Sequence, residues 1–256
     1  MEALFVPHGD AFLRYHRLPG VEPTYVYLAG LGTGATAVFP RVISGSPLAA
    51  HRSIMPDWLG CGYSDRPHHF SYTVTDHADT IATLLDTLQL QGCVLVGHSF
   101  GGAVAITLAA KRSDLVSQLF LAEANLDAGG GLVSKRVAAM SEDEFVTHGY
   151  QEMVSQFRAM SSDNLSMAVL TGNWQIAAPR AIYRGAVSLV QGSQPSWRET
   201  LYKLTIPRTY IFGEQSLPDN DSDILPTYGI RVTTVQNAGH GMIFDNPEGF
   251  AAVITQ

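Results

Sequence analysis

The residue best placed for covalent chemistry in this chain is Ser99, inside Gly97-His98-Ser99-Phe100-Gly101. The apolar run before it, Cys93-Val94-Leu95-Val96, reads as a fully buried strand. The residues after it, from Gly102 to Ala110, read as an apolar helix. A strand that turns sharply into a helix strains the backbone at the turn, and glycines two before and two after remove the side chains that would collide. The serine hydroxyl then stands clear of the backbone at the positive end of a helix, which suits a nucleophile. The pentapeptide alone marks only a turn; the flanking strand and helix give it meaning. A serine is a weak nucleophile at its own pKa and needs a base within hydrogen-bond reach. His240, in Asn237-Ala238-Gly239-His240-Gly241, has a glycine on each side, as suits a side chain thrust into a cleft. His98 occupies the variable position of the pentapeptide and is expected to pack or hydrogen-bond beside the turn.

These groups need a frame, and the sequence supplies strands in alternation with helices. Short strands are expected at residues 3–6 and 12–16 around Pro7-His8-Gly9-Asp10, forming an antiparallel hairpin. Further strands are expected at 24–28, 52–55, 93–96, 118–123, 207–213 and 231–235. The third leads into the glycine-rich Ala29-Gly30-Leu31-Gly32-Thr33-Gly34, which lacks the spacing and the lysine of a phosphate-binding loop. A helix over residues 73–88 has Thr73 and Asp76 as a capping pair, with Ile81, Leu84, Leu85 and Leu88 in one stripe. Such alternation predicts a parallel sheet covered on both faces.

Between residues 127 and 204 the strand signal stops. After the break Gly129-Gly130-Gly131, Ser141 with Glu144 and Ser196 with Glu199 form capping boxes. Val146, Tyr150, Met153, Phe157 and Met160 repeat at helical spacing; a short helix is expected within 163–171 and another from Pro179 to the residues before Gly192. The chain therefore divides into a core, 1–126 with 205–256, and a helical insertion, 127–204. Its methionine and aromatic stripe is expected to be packing against the core, with Met153, Phe157 and Trp174 as candidates for lining a pocket beneath it.

Composition narrows the function further. The chain has 256 residues, a formal charge of −7 and only three lysines, which argues against nucleic acid or an acidic membrane as partner. No apolar run is long enough to span a bilayer, and Met1 to Pro7 has neither a basic start nor an apolar core. Cys61 and Cys93 should lie at opposite ends of a strand, roughly 15 Å apart and beyond disulfide reach, so two free thiols in a reducing, cytoplasmic setting are expected. His68-His69 has no cysteine or acid at ligand spacing, and no metal or other cofactor is expected.

The pentapeptide with Gly102, the loop Asp57-x-x-Gly60-x-Gly62-x-Ser64, and the late Gly239-His240 followed by Pro247-Glu248 together resemble the α/β-hydrolase family over nearly the whole chain. The resemblance implies an α/β fold with an eight-stranded, mostly parallel sheet and a helical cap inserted after the sixth strand. It implies an oxyanion site made by the N–H groups of Phe100 and Leu31, with Gly30 beside the pocket. Ala29 stands where the family commonly has a histidine, which leaves the internal hydrogen bonds of that loop open. The family often carries its acid after the seventh strand in Gly-x-x-Asp; here Gly213-Glu214-Gln215-Ser216 has serine instead. The alternative is the end of the sixth strand, where Glu123 closes an otherwise apolar run, a costly place for an acid without a partner. Glu123 is the first candidate, with Glu214, Asp219 and Asp221 behind it. Asp57 belongs to the structural loop.

The expected activity is hydrolysis of a carboxylic ester or related acyl compound through an acyl-serine, by Ser99, His240 and Glu123. A carbon–carbon bond hydrolase or thioesterase could use the same residues, and a non-catalytic small-molecule receptor could keep the fold. Serine at position 99 argues against epoxide hydrolase or dehalogenase chemistry, which would use aspartate. The partner is a small acyl substrate, and the chain is expected as a monomer or homodimer.

Overall fold

The computed structural model describes residues 1–162 and 164–255. Eight strands form one sheet: β1 (Glu2–Val6), β2 (Ala11–Leu18), β3 (Val21–Leu28), β4 (His51–Pro56), β5 (Cys93–His98), β6 (Val116–Ala122), β7 (Arg208–Gly213) and β8 (Arg231–Val235). Their spatial order is β1-β2-β4-β3-β5-β6-β7-β8, and only the pairs β1–β2 and β2–β4 are antiparallel. One reversed strand, β2, is thus enough to make the opening hairpin, and the rest of the sheet is parallel.

The continuous apolar runs are explained by burial on both faces. Cys93 and Leu95 of β5, with Leu119 and Leu121 of β6, point into the larger hydrophobic cluster. Their alternates Val94, Val96, Phe120 and Ala122 point into a second cluster on the other face. The helices Val74–Thr87 and Phe100–Lys111 cover the first face, and the terminal helix Pro247–Ile254 covers the second. Thr73 caps the first of these by accepting from Asp76 N–H, and Asn246 caps the last through Gly249 N–H. Cys61 and Cys93 are buried free thiols, and burial pushes both up to about 12.

Between β6 and β7 the described residues hold helices and no strand. They include Leu132–Ala138, Tyr150–Ala159, Leu165–Ile176, Pro179–Gln191 and Trp197–Lys203. The capping boxes at Ser141–Glu144 and Ser196–Glu199 are both formed. Two features differ from the sequence expectation. Leu132–Ala138 is a helix that starts at the glycine break, with Gly131 as its N-cap. The helix expected within 163–171 begins at Leu165 and runs on to Ile176; Asp163 itself lies outside the described residues. The insertion shares the core of the first face: Phe145, Tyr150, Phe157, Trp174 and Ile182 belong to the same cluster as Leu95. Its two ends are tied together, because Arg198 N–H donates to Leu126 O at 2.8 Å and the Arg198 guanidinium pairs with Asp127 and Asp221, each at 2.7 Å.

Candidate active site

The parallel strands all end at one edge of the sheet, where loops collect side chains from distant parts of the sequence. At the end of β5, Ser99 adopts φ 53 and ψ −117, then the helix Phe100–Lys111 begins. The close packing around this turn explains its glycines. A Cβ on Gly101 would lie 2.1 Å from Leu28 O, and one on Gly97 would lie 2.6 Å from Gly101 O. Ser99 N–H donates to Ala122 O at 2.9 Å, which ties the turn to the adjacent strand. No larger residue than glycine fits at either place.

Glu123 leaves β6 at φ 40, with its own N–H donating to Ile211 O at 3.0 Å. Its Oε1 accepts Gly213 N–H at 2.9 Å, and its Oε2 lies 2.7 Å from His240 Nδ1. Burial pushes the Glu123 carboxyl up. Hydrogen bonds from His240 and Gly213, with the Ser216 hydroxyl nearby, outweigh that and hold it below the usual carboxylate range. It is therefore ionised at neutral pH. The acids after β7 are engaged elsewhere: Glu214 accepts Asn237 N–H, Asp219 accepts Asp221 N–H, and Asp221 pairs with Arg198.

His98 Nε2 lies 2.8 Å from the His240 carbonyl oxygen, and the two rings sit 4.8 Å apart, tilted by 43°. Burial, followed by the neighbouring His240 charge, pushes the His98 pKa down to about 3. A neutral ring facing a carbonyl must carry its proton on Nε2 and donate. His98 thus holds the backbone of the His240 loop. Asp245 holds the same loop from the other side, accepting Gly239 N–H at 3.1 Å.

Ser99, His240 and Glu123 share the wall of a cavity of ≈ 670 Å³. No hydrogen bond joins Ser99 Oγ to His240 among the described residues; such bonds are often long in unliganded sites. Gly30, Leu31, His98 and Trp174 line the cavity. Met153 and Phe157 do not. Both are buried in the packed core, where Phe157 meets the cavity-lining Trp174 indole edge-on at 5.1 Å. Helical periodicity marked an inward face correctly, but could not tell which inward residues meet packed side chains. The Phe100 side chain is likewise buried, against Trp58 and His77, leaving only its backbone to the site. As the first residue of its helix, its N–H has no partner one turn earlier.

The apolar wall comes from residues that the sequence reading passed over. Leu132 and Val133 enter from one helix, Met167 and Leu170 from another, and Ile243 and Phe244 from beyond the histidine loop. Asn125 was also missed. It lines the cavity two residues after Glu123, and its Oδ1 is buried with no hydrogen-bond partner among the described residues. The one available signal was its place just past the end of an apolar strand. Asp57 is buried and accepts Thr36 N–H, Thr36 Oγ1–H and Tyr63 N–H, a loop-holding role away from the cavity.

Comparison with known proteins follows the same lines. The family model described as alpha/beta hydrolase fold matches residues 26–247. The chain belongs to the α/β-hydrolase fold family. It is similar to haloalkane dehalogenase 2 of Mycobacterium bovis, 23% identical over 222 residues, covering 80% of this chain and 78% of that one. It is also similar to 2-hydroxymuconate semialdehyde hydrolase of a Pseudomonas strain, 38% identical over 93 residues, 36% of this chain and 33% of that one. Among solved structures, an esterase from Exiguobacterium antarcticum superposes with TM-score 0.79 at 20% identity, covering 96% and 94% of the two chains. The family match and the sequence relatives support hydrolytic chemistry, and the superposition supports the fold. Among the described residues no group of three or more His, Cys, Asp or Glu could hold a metal ion, and no helix is long and apolar enough to cross a membrane.

Proposed function

We propose that this α/β hydrolase cleaves carboxylic esters through an acyl-serine intermediate, with Ser99 as nucleophile, His240 as base and Glu123 as the acid that orients it. The observation that carries the reading is the bond between Glu123 Oε2 and His240 Nδ1 at 2.7 Å, beside a serine at φ 53 in the same cavity. An ionised carboxylate at Nδ1 keeps the proton there, so Nε2 keeps the lone pair that a base requires. Ser99 Oγ bonds to the ester carbon as its proton passes to Nε2, and the carbonyl electron pair becomes the oxyanion. Phe100 N–H and Leu31 N–H receive that charge. His240 then returns the proton to the leaving alkoxide, and water repeats the sequence to release the acid. The Glu123 carboxylate stabilises the imidazolium at each stage. The apolar wall suits an acyl chain.

The name of the M. bovis relative would suggest dehalogenation, but serine at position 99 replaces the aspartate that such chemistry uses. A second reading, cleavage of a carbon–carbon bond next to a ketone, is favoured by the similarity to the Pseudomonas semialdehyde hydrolase. A panel of p-nitrophenyl esters with different acyl lengths, run beside a vinylogous 1,5-diketone, separates the two. Ester turnover that Ser99→Ala reduces by several orders of magnitude, with fluorophosphonate labelling lost in the variant, supports the first. Labelling at another serine, or turnover only of the diketone, would sink it.

A further inference from the structure

Leu31 sits in a turn whose consecutive carbonyls are all engaged. Ala29 O accepts Trp58 Nε1–H at 3.2 Å. Gly30 O accepts two donors of one residue, Thr33 N–H at 3.2 Å and Thr33 Oγ1–H at 2.8 Å. Leu31 O accepts Trp174 Nε1–H at 3.3 Å. Just beyond, Gly34 N–H donates to Asn173 Oδ1 at 3.0 Å. Thr33, Trp58 and Trp174 are all buried. We propose that Thr33 and Trp174 are positioning residues that aim the Leu31 N–H at the oxyanion. The inference rests on the ester-hydrolase reading above.

The geometry acts through the peptide planes. In a trans peptide the N–H of Leu31 points opposite to the C=O of Gly30, so whatever holds that carbonyl also sets the direction of the N–H. Thr33 holds it with two donors. The plane on the other side of Leu31 is held by the Trp174 indole, so neither plane flanking its Cα is free to turn. Gly32, at φ +73, allows this approach, since a Cβ there would lie 2.5 Å from Trp174 Nε1. Where the family commonly has a histidine, Ala29 offers only its carbonyl, and Trp58 takes it.

The source of these donors matters. Thr33 and Trp58 belong to the core, but Trp174 and Asn173 come from the helix Leu165–Ile176 of the insertion. That helix is itself braced, with Tyr150 Oη–H donating to Trp174 O and Phe157 packed on the indole. The insertion is therefore a part of the oxyanion site as well as a roof. If it shifted, Ser99 would keep its place while Leu31 lost its aim.

Thr33→Val keeps shape and removes the hydroxyl donor; Trp174→Phe keeps a ring and removes the N–H. Both are measured with p-nitrophenyl acetate, whose acyl group is too short to need the cavity wall. A complete oxyanion donor is worth roughly 10²–10³ in kcat, so a misaimed one should cost roughly tenfold, with KM within about twofold. Thr33→Ser should restore most of the loss. Affinity for a trifluoromethyl ketone, which the serine captures as a tetrahedral adduct, should weaken by the same factor as kcat/KM while Tm changes little. Full kcat in either variant, or equal loss in Thr33→Ser and Thr33→Val, overturns the inference; so does a fall in Tm with KM rising alongside. A parent that turns over the ester while Thr33→Val runs at full rate overturns the inference alone. A parent that neither turns over the ester nor captures the ketone overturns the hydrolase reading and the inference together.

Discussion

Ser99 lies in a turn with no space for one more methyl group, whereas His240, its side chain 57% exposed, is held by hydrogen bonds around an open loop. The serine turn is built from Gly97 and Gly101 packed against their own strand and helix and against the backbone of Leu28 in the next strand. The histidine loop depends on residues far away in the chain, Glu123 at its ring and His98 at its carbonyl, as well as on nearby ones such as Asp245. The two modes of restraint suit the two tasks proposed for these residues. A nucleophile must be fixed before the substrate arrives, and close packing fixes it. A base must move a proton between two oxygens, and hydrogen bonds allow the small rotations this needs.

The steric half of the comparison breaks first at Gly101. In Gly101→Ala the new Cβ meets Leu28 O at 2.1 Å, inside the sheet, with no flexible neighbour to yield. A stability loss of about 3 kcal/mol or more is expected, lowering Tm by about 6–12 °C in a melting experiment. A variant with parental Tm would mean that the turn has room after all.

On the other side, Glu123→Gln keeps the shape at the histidine and removes the charge. Turnover should drop by roughly 10³–10⁴ with Tm little changed. Asp219→Asn and Asp221→Asn should cost far less, because neither carboxylate touches the imidazole. Should Asp219→Asn prove the crippling change, the acid lies after β7 and the role given to Glu123 is wrong.

His98→Phe tests the carbonyl tie. One hydrogen bond of net worth about 0.5–1.5 kcal/mol corresponds to a roughly two- to twelvefold loss in kcat. Full kcat in this variant would mean that the other bonds to the loop, from Glu123, Asp245 and Gln215 among them, hold it without His98.

An effect confined to low pH concerns His77, packed among Trp58, Phe70, Tyr72 and Phe100 with its Nδ1 unpartnered among the described residues. Burial pushes its pKa from 6.5 down to about 3, with the Asp76 charge opposing. Between those values the unfolded chain binds a proton that the folded chain refuses. The group therefore costs nothing above pH 6.5 and destabilises increasingly as pH falls toward 3, by at most about 1.4 kcal/mol per pH unit. Urea titrations from pH 7 to pH 4 should show a shallower decline for His77→Phe than for the parent. Parallel curves would show that His77 is not the group that titrates.

What could be read from the sequence divides along the same line. The turn at Ser99, both capping boxes and the run ending in Glu123 each show as a pattern within a few residues, and those patterns carried through. The wall of the cavity could not be read that way. Met153 and Met167 are alike in type and both lie on insertion helices, yet one meets the packed core and the other the cavity. That difference is set by what each side chain meets once the helices are packed, not by spacing. The helix Leu132–Ala138 was hidden because its start looks like a glycine break. The clamps on Leu31 were hidden too, since Trp58, Thr33 and Trp174 meet only when two loops and the insertion are folded together.

The two cysteines have a use in the laboratory. Cys93 opens β5 in the middle of the sheet, Cys61 lies in the loop after β4, and both thiols are buried and held as SH. Iodoacetamide reacts with the thiolate, so the native chain should be almost silent toward it. Alkylation then becomes a stopwatch for opening: Cys93 is reached only when the central strands part, Cys61 as soon as its loop lifts. Mass spectrometry of the two peptides after timed pulses would separate breathing of that loop from unfolding of the whole chain.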